Sequence, residues 1–267
     1  MMTSAVLFFT DLDDTLVSSD GNNLEELKTL LRRLQAKSFV IPVTMKTFDE
    51  VLLLSRKLNF EFPIVISEGG CVISSLNEWL LPDTAHSFIV DRYHVRILCK
   101  PMSEIDEIIE LSLESHQCSS KIGRMSRLTA EELKSILTIS HEEALAATKR
   151  LCSEAFLSAD ANCLKGLSQR LRELGLKTSM TKRVLHVSTG SKGLGVSKVL
   201  EKLRSYSHLT IAAGDSEIDC EFLSLSDIPI ILGSDVTCVR KYPFIALPYK
   251  PLTNNPVLDK ILLNLGL

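Results

Sequence analysis

The chain has 267 residues, 45% of them hydrophobic and 24% charged, and carries a formal net charge of −3. A chain of this size buries a sizeable core, in one large domain or two modest ones, and its slight negative charge without a basic block disfavours a nucleic-acid partner. No apolar run approaches the roughly 20 residues that cross a bilayer, and the N-terminal segment has no basic region, so we expect a cytoplasmic protein without a membrane contact.

The first part of the chain alternates short apolar runs with amphipathic helices. An apolar run over residues 5–10 precedes a predicted helix with Asn23 as its N-cap, because leucines recur there at helical spacing. Further runs cover residues 38–44 and 62–67, with a helix predicted over Phe48–Leu58 between them. Runs that are apolar on both faces and are separated by helices predict a parallel sheet.

The same pattern returns near the end of the chain. Strands are predicted over residues 209–215, 228–232 and 244–247, with a helix over 217–225. The two blocks are interpreted as halves of one α/β domain with a Rossmann-like parallel sheet. We predict these halves at residues 1–82 and 186–267.

The middle of the chain differs from these two blocks in its pattern of predicted strands and helices. Residues 87–100 and 177–189 alternate like strands, and a Ser or Thr with an acidic residue three positions later marks helix starts at Ser103, Thr129 and Ser140. We therefore predict an inserted α+β module over residues 83–185, a size that suits a small domain.

The seven cysteines are scattered along the chain and form no CxxC pair. An odd number without regular spacing supports neither a disulfide framework nor a zinc site. We predict that they are reduced and mostly buried, like other small apolar side chains.

Carboxylates cluster where two of the predicted strands end. FFTDLDDTLV places Asp11 and Asp13 directly after the first strand, and IAAGDSEID places Asp215 and Asp219 after a later one. Ligands bind at the carboxyl ends of parallel strands, so the two groups meet if these strands adjoin. Neighbouring carboxylates repel each other unless a cation intervenes, and an all-oxygen ligand set suits Mg²⁺ better than zinc. The alternative is that each Asp caps the turn or helix behind it.

Four segments in order, FFTDLDDTLV, VIPVT, SKG and IAAGDSEID, resemble the haloacid dehalogenase-like (HAD) superfamily of phosphatases. The resemblance implies a HAD core and an aspartyl-phosphate mechanism. Asp11 would be the nucleophile and Asp13 the general acid and base. Thr44 would hydrogen-bond the phosphoryl group, and Lys192 would neutralise its charge. On their own, a Thr at a strand end is usually a helix cap and a Lys is usually a solvated side chain.

The same resemblance implies a Mg²⁺ cofactor. Its ligands would be the Asp11 carboxylate, the Asp13 backbone carbonyl and Asp215, with Asp219 in support. The ion would bridge to a phosphate oxygen and offset the charge that develops during phosphoryl transfer.

The insert lies where subclass IIB of the superfamily carries an α+β cap that selects the organic part of the substrate. Within it, KIGRMSRLTAEELKSILTISHEEALAATKRLCSEAF resembles the mannosyl-3-phosphoglycerate phosphatases, as do TMKT and ISEGG nearby. The sequence departs from that family's pattern at four positions, Asp14, Cys152, Ala155 and Ile218.

The resemblance implies a phosphorylated sugar or glycerate as the small-molecule substrate. Such a substrate needs a cation for its carboxylate and polar groups for its hydroxyls. The candidate binding residues are Lys46, Gly69, Gly70, Arg150, Ser153 and Glu154. The alternatives are that Arg150 complements the dipole of a helix end and that the glycine pair forms a turn. His186 is interpreted as a hydrogen-bonded residue between core and cap rather than a catalyst.

We therefore expect a Mg²⁺-dependent phosphatase that converts mannosyl-3-phosphoglycerate to mannosylglycerate. The open alternatives are another sugar-phosphate phosphatase, acting on glucosyl-3-phosphoglycerate or sucrose 6-phosphate, a phosphomutase, and a non-catalytic sugar-phosphate-binding module. The sequence indicates no oligomeric state.

Overall fold

The computed structural model describes residues 5–18, 21–114, 118–181, 183–233, 244–247 and 251–267. In chain order, the strands are β1 (Ala5–Thr10), β2 (Ser38–Pro42), β3 (Ile64–Ser67), β4 (Val72–Ser75), β5 (His86–Val90), β6 (Tyr93–Ile97), β7 (Gly123–Arg124), β8 (Ser153–Leu157), β9 (Lys177–Met180), β10 (Val184–Ser188), β11 (Ser207–Gly214), β12 (Ile228–Leu232) and β13 (Ile245–Leu247). The α-helices are α1 (Leu24–Leu34), α2 (Phe48–Leu58), α3 (Met102–Glu114), α4 (Ala130–Leu137), α5 (His141–Thr148), α6 (Ala161–Glu173), α7 (Lys192–Leu203), α8 (Cys220–Leu223) and α9 (Pro256–Asn264).

A five-stranded parallel sheet in the order β13-β12-β11-β1-β2 forms the core. Its strands are buried on both faces, with Val6 and Phe8 in one apolar cluster and Leu7 and Phe9 in another. Helices α1, α2 and α9 contribute leucines to the first cluster, and α7 and α8 pack into the second. The predicted α/β fold with a parallel sheet is confirmed. Because β1 pairs with β11, their carboxyl ends are neighbours at one edge of the sheet.

An antiparallel sheet in the order β3-β4-β6-β5 extends from the core, joined to it by a parallel bridge between Val43 and Ile66. The predicted insert, residues 83–185, includes β5 and β6, but both strands belong to this second sheet because β6 pairs with β4. The strands themselves were predictable from their alternation, and their assignment to the insert is wrong. We propose instead that the insert covers about residues 101–188, so that it includes β10.

The insert is a cap built on a four-stranded antiparallel sheet in the order β7-β8-β10-β9. Helices α3 and α6 pack on one face of this sheet, and α4 and α5 form a smaller cluster with the loop after β7. Thr129 and Ser140 begin α4 and α5 with capping boxes, as predicted, whereas α3 already includes Ser103. Within the described ranges, no helix is long and apolar enough to cross a membrane.

The loop after β1 is tied to the start of α1 by Asn23. The helix begins at Leu24 as predicted, but the Asn23 side chain does not cap it. The amide nitrogen of Asn23 instead donates to Leu16 O (2.8 Å), and its side-chain oxygen accepts from the Ser18 backbone N–H (3.0 Å). These bonds hold the loop that carries the first carboxylates.

The prediction of reduced cysteines is wrong, as two disulfides show. Cys71 and Cys99 form a disulfide with Cα atoms 5.1 Å apart, and Cys118 and Cys163 form another with Cα atoms 5.6 Å apart. The first pair is 28 residues apart in sequence, but β4 and β6 are antiparallel neighbours, which brings the residue before β4 close to the residues after β6. Cys152 is a buried free thiol.

Candidate active site

The loop after β1 presents two carboxylates in different environments. The backbone N–H of Asp11 donates to Ala213 O (2.9 Å), which continues the pairing of β1 with β11. Leu12 and Leu16 are fully buried and anchor the loop in the core. Asp11 is 6% exposed, whereas the side chain of Asp13 is 62% exposed. Asp11 therefore lies on the floor of the site and Asp13 at its opening.

Lys192 connects the two acidic segments. It is the first residue of α7, whose N-cap Ser191 accepts a hydrogen bond from the backbone of Leu194. The buried Lys192 Nζ lies 2.6 Å from Asp11 Oδ1 and 2.7 Å from Asp219 Oδ1. Burial lowers the pKa of Lys192, but Asp11 and Asp219 outweigh this effect and hold the pKa above its usual range. The side chain is therefore a buried ammonium rather than a solvated lysine.

Asp219 organises the second acidic segment. Its Oδ1 accepts from Lys192, and its Oδ2 accepts from the backbone N–H groups of Asp215 (3.1 Å) and Ser216 (3.0 Å) and from the Ser216 hydroxyl (2.7 Å). Both oxygens are thus engaged by protein donors. Asp219 thus fixes Lys192 and the Asp215 backbone.

The carboxylates of Asp11, Asp215 and Asp219 lie together, with one oxygen of each within 4.8 Å of the others. Burial raises the pKa of Asp11, Lys192 opposes the rise, and Asp219 and Asp13 add to it, with a result of about 8. Burial and the charge of Asp219 raise the pKa of Asp215 to about 6. Burial is the larger cause of both shifts and the neighbouring carboxylates add to it, so an oxygen-binding divalent cation fits this donor set because its charge would stabilise the ionised carboxylates.

Thr44 and Lys46 form the wall of the site beside Asp13. Thr44 is buried after β2, and its hydroxyl oxygen accepts from the backbone N–H of Lys46 (3.1 Å). The cap of α2 is Thr47, so Thr44 is not the helix cap that a Thr at a strand end usually is. Lys46 Nζ lies 2.9 Å from Asp13 Oδ2. Burial lowers the pKa of Lys46, and Asp13 and Glu50 raise it by more, so this group is also a cation.

The two glycines after β3 have different surroundings. Both have positive φ, 66° at Gly69 and 93° at Gly70. A Cβ on Gly70 would lie 2.0 Å from Ser191 O, so this residue allows the turn to pack against the start of α7. Gly69 faces Met45 and lines a cavity between core and cap. The predicted substrate contact is thus available to Gly69, while Gly70 serves the turn.

Arg150 and Ser153 lie together on the cap, and Glu154 lies apart from them. Arg150 Nη1 donates to Ser153 Oγ (3.1 Å). Glu154 is fully buried inside the cap, where its carboxylate accepts from Arg124 Nε (2.6 Å) and from the Ser126 backbone N–H (3.2 Å). The structure therefore does not bring Glu154 to the substrate, because its side chain is on the face of β8 opposite to that of Ser153.

Glu68 is a residue of the candidate site that the sequence analysis missed. It is fully buried in the turn after β3, and its carboxylate accepts from Leu151 N (2.8 Å), Cys152 N (3.0 Å) and Ser153 Oγ (2.7 Å). One core carboxylate thus binds the cap segment next to Arg150. An acidic residue between an apolar strand and two glycines, in VISEGG, was the available signal.

A cavity of about 370 Å³ lies between the core site and the cap sheet. The core contributes Met45, Gly69 and Lys192, among others, and the cap contributes all four residues of β9 and two residues of β10, His186 and Ser188. The expectation that His186 is hydrogen-bonded is wrong, because its Nδ1 is buried without a partner among the described residues. Ile218, where the sequence departs from the family pattern, also lines this cavity.

Comparison with known proteins assigns the family. The family model of haloacid dehalogenase-like hydrolases matches residues 8–241. The chain therefore belongs to the haloacid dehalogenase-like hydrolases. The predicted class, a phosphoric monoester hydrolase of this superfamily, is confirmed by this match together with its curated relatives.

Two curated relatives and one solved structure illustrate the similarity. A glucosyl-3-phosphoglycerate/mannosyl-3-phosphoglycerate phosphatase of Persephonella marina is 27% identical over 254 residues, covering 91% of this chain and 89% of the relative. A mannosyl-3-phosphoglycerate phosphatase of Aeropyrum pernix is 28% identical over 233 residues, covering 84% of this chain and 79% of the relative. A haloacid dehalogenase-like hydrolase of Bacteroides thetaiotaomicron shares the fold, with a TM-score of 0.68 and 15% identity over 97% of this chain and all of that one.

Proposed function

We propose that this protein is a Mg²⁺-dependent phosphatase that acts through an aspartyl-phosphate on Asp11. The observation that carries the proposal is the buried Lys192 ammonium between Asp11 Oδ1 (2.6 Å) and Asp219 Oδ1 (2.7 Å), next to Asp215. The Lys192 ammonium holds the Asp11 carboxylate in one direction, and together with a bound divalent cation it would keep that carboxylate ionised against the pKa-raising effect of burial. Both properties are required of a nucleophile that attacks phosphorus.

Asp11 and Asp215 are the side chains that would hold the metal, with the Asp13 backbone carbonyl as a third ligand. Thr15 supports this arrangement because its hydroxyl donates to Asp215 Oδ1 (3.4 Å). When bound, Mg²⁺ supplies charge neutralisation at the phosphoryl oxygens and at Asp11. Asp219 has both oxygens engaged and holds the neighbouring groups.

The reaction proceeds in two displacements. In the first, an Asp11 oxygen forms a bond to phosphorus while the phosphorus–oxygen bond to the alcohol breaks, and Asp13 gives its proton to the departing oxygen. In the second, Asp13 takes a proton from water, the water oxygen bonds to phosphorus, and the bond to Asp11 breaks with release of phosphate. Thr44 and Lys192 bind the phosphoryl group throughout. Lys46, 2.9 Å from Asp13, orients that carboxyl group at the mouth of the site.

The proposed substrate is mannosyl-3-phosphoglycerate, with glucosyl-3-phosphoglycerate as the second candidate. Support comes from the two relatives, one of which is named for both compounds. Arg150 on the cap is the cation proposed to bind the glycerate carboxylate, since it lies with Ser153 next to the core carboxylate Glu68. The polar lining of the cavity, which includes Ser179, Ser188 and Glu217, suits the hydroxyls of a sugar.

The test is phosphate release from both phosphoglycerates, sucrose 6-phosphate and hexose phosphates, with Mg²⁺ and with EDTA. We expect turnover that needs Mg²⁺ and that Asp11→Asn abolishes, while Asp259→Asn leaves it unchanged because this carboxylate is on the surface of α9. A mass increase of one phosphoryl group on an Asp11 peptide after rapid quenching would identify the intermediate. Full activity of Asp11→Asn, or equal rates in EDTA, would refute the mechanism.

A further inference from the structure

β10 presents His186 to the cavity rather than to the interior of the cap. Val187 and Leu185, its neighbours along the strand, are buried in the cluster that includes Phe156 and α6. Because side chains alternate along a strand, His186 and Ser188 lie on the opposite face, and both line the cavity. The residues paired with His186, Ala155 on β8 and Ser179 on β9, share that face.

Two nitrogen atoms on this side of the cap are buried without hydrogen-bond partners among the described residues, His186 Nδ1 and Arg150 Nε. The other Arg150 nitrogens are engaged, Nη1 with Ser153 Oγ (3.1 Å) and Nη2 with Met125 Sδ (3.4 Å). A buried polar group without a partner costs about 1–3 kcal/mol. Such groups are few in native proteins, and those that persist commonly have a functional role or bind a water molecule or an ion.

The charges around His186 define what that partner is. Burial and, after it, the charges of Arg150, Lys192 and Lys46 together lower the pKa of His186 to about 3, and Arg150 has the largest effect of the three cations. The imidazole is therefore neutral and carries one N–H, while Arg150 Nε is a donor in every state. The three cations favour an anion, and the neutral imidazole can donate to that anion from Nδ1 in one of its two tautomers. The phosphoryl group belongs to Asp11 and Lys192 in the core, so this is a second anionic group on the substrate.

On the basis of the proposed function, we propose that His186 is a specificity-determining residue that donates a hydrogen bond from Nδ1 to a carboxylate on the leaving group, beside Arg150 Nε. The substrate class is thus a phosphomonoester whose alcohol carries a carboxylate. His186 takes no part in bond making. Because its imidazole is neutral, it contributes a hydrogen bond to the carboxylate, while Arg150 contributes the positive charge.

The test compares two phosphomonoesters that differ only at this group, 3-phosphoglycerate and glycerol 3-phosphate. We expect His186→Leu to lower kcat/KM for 3-phosphoglycerate about 10- to 100-fold, the value of a hydrogen bond to a charged group, mostly through KM. The same variant is expected to change glycerol 3-phosphate hydrolysis by less than about threefold. His186→Asn is expected to recover most of the loss, because its amide N–H can replace Nδ1–H. His141→Leu, at an exposed histidine of α5, is the matched control.

Three results would overturn this assignment: an equal loss on both substrates, no loss on either, or no rescue by Asn. Calorimetric titration of 3-phosphoglycerate into Asp11→Asn, with and without His186→Leu, measures the same contact without turnover. If the wild type releases no phosphate from any ester, the proposed function fails, and this titration decides the role of His186 by itself. Equal affinity of the two proteins in that titration would refute the role.

Discussion

Asp11→Asn is expected to stabilise the metal-free protein and to remove its stabilisation by Mg²⁺. Without a divalent cation, three carboxylates, Asp11, Asp215 and Asp219, share one buried ammonium, Lys192. Asn keeps the size of Asp11 and removes one negative charge. In the proposed mechanism, the Asp11 carboxylate is held at a cost in stability that Mg²⁺ offsets, and we expect that the variant no longer needs the ion.

The free energy of unfolding of the metal-free protein is expected to depend on pH through Asp11. The pKa of Asp11 rises from 3.8 to about 8 in the folded protein, so its contribution to stability is present at low pH and is lost as the pH rises towards 8. The slope for one such group is at most about 1.4 kcal/mol per pH unit. From about pH 5.5 to about pH 7.5, the metal-free wild type therefore loses up to about 3 kcal/mol relative to Asp11→Asn. Mg²⁺ at about 100 times its Kd restores about 2.7 kcal/mol to the wild type.

Urea unfolding in EDTA and in Mg²⁺, at several pH values, measures both quantities. The difference in the free energy of unfolding between wild type and Asp11→Asn cancels the contributions of the other titrating groups. Asp259→Asn controls for removal of a carboxylate at the surface. Parallel pH curves in EDTA, or equal stabilisation of both proteins by Mg²⁺, would refute the reasoning.

Three further predictions concern other parts of the site. Asp13→Asn is expected to slow phosphoenzyme hydrolysis more than its formation from p-nitrophenyl phosphate, whose leaving group needs little protonation, so quenched samples accumulate the phosphoenzyme. Gly70→Ala is expected to lower Tm and activity more than Gly21→Ala, as measured by thermal unfolding and phosphate release. Both glycines have positive φ, but only at Gly70 would the added Cβ clash with backbone atoms. Glu68→Gln and Glu154→Gln are each expected to lose about 1–3 kcal/mol in urea unfolding, but only Glu68→Gln should raise KM, because only Glu68 supports the segment beside Arg150.

The core of the site was predictable because its signals are local. Asp11 and Asp215 follow directly after apolar strands, Thr44 lies two residues after one, and parallel strands bring their carboxyl ends to one edge. The adjacency of β1 and β11 was the one condition that the sequence left open, and the structure meets it. Thr129 and Ser140 were predictable as helix starts for the same reason, since a capping box lies within four residues.

The sequence pattern did not predict which strands pair with each other. β5 and β6 show the alternation of a half-buried strand, and that pattern is identical whether the strand pairs with the cap sheet or with β4. The disulfide between Cys71 and Cys99 depends on this pairing, and so it was missed as well. Sequence separation carries no information about contacts that a sheet creates.

Side-chain direction was the second source of error. Glu154 follows Ser153 in a segment similar to a known phosphatase family, and both were predicted to bind substrate. On a strand, however, adjacent residues point to opposite faces. Glu154 accepts a hydrogen bond from Arg124, whereas Ser153 donates one to Glu68. The same alternation applied to VLHVS places His186 with Ser188 and opposite Val187, and this pattern was the unused signal for its exposure to the cavity.

Glu68 links the chemistry of the core to the specificity of the cap. Its carboxylate binds the cap segment 151–153, and the turn it begins continues into Gly70, which packs on the backbone of Ser191 at the start of α7. The next residue of that helix is Lys192, which holds Asp11. A cap that is displaced from Glu68 therefore disturbs the turn against which the lysine-bearing helix is positioned. We therefore expect the proposed substrate selection by the cap and the orientation of Asp11 to depend on this one short segment of the core.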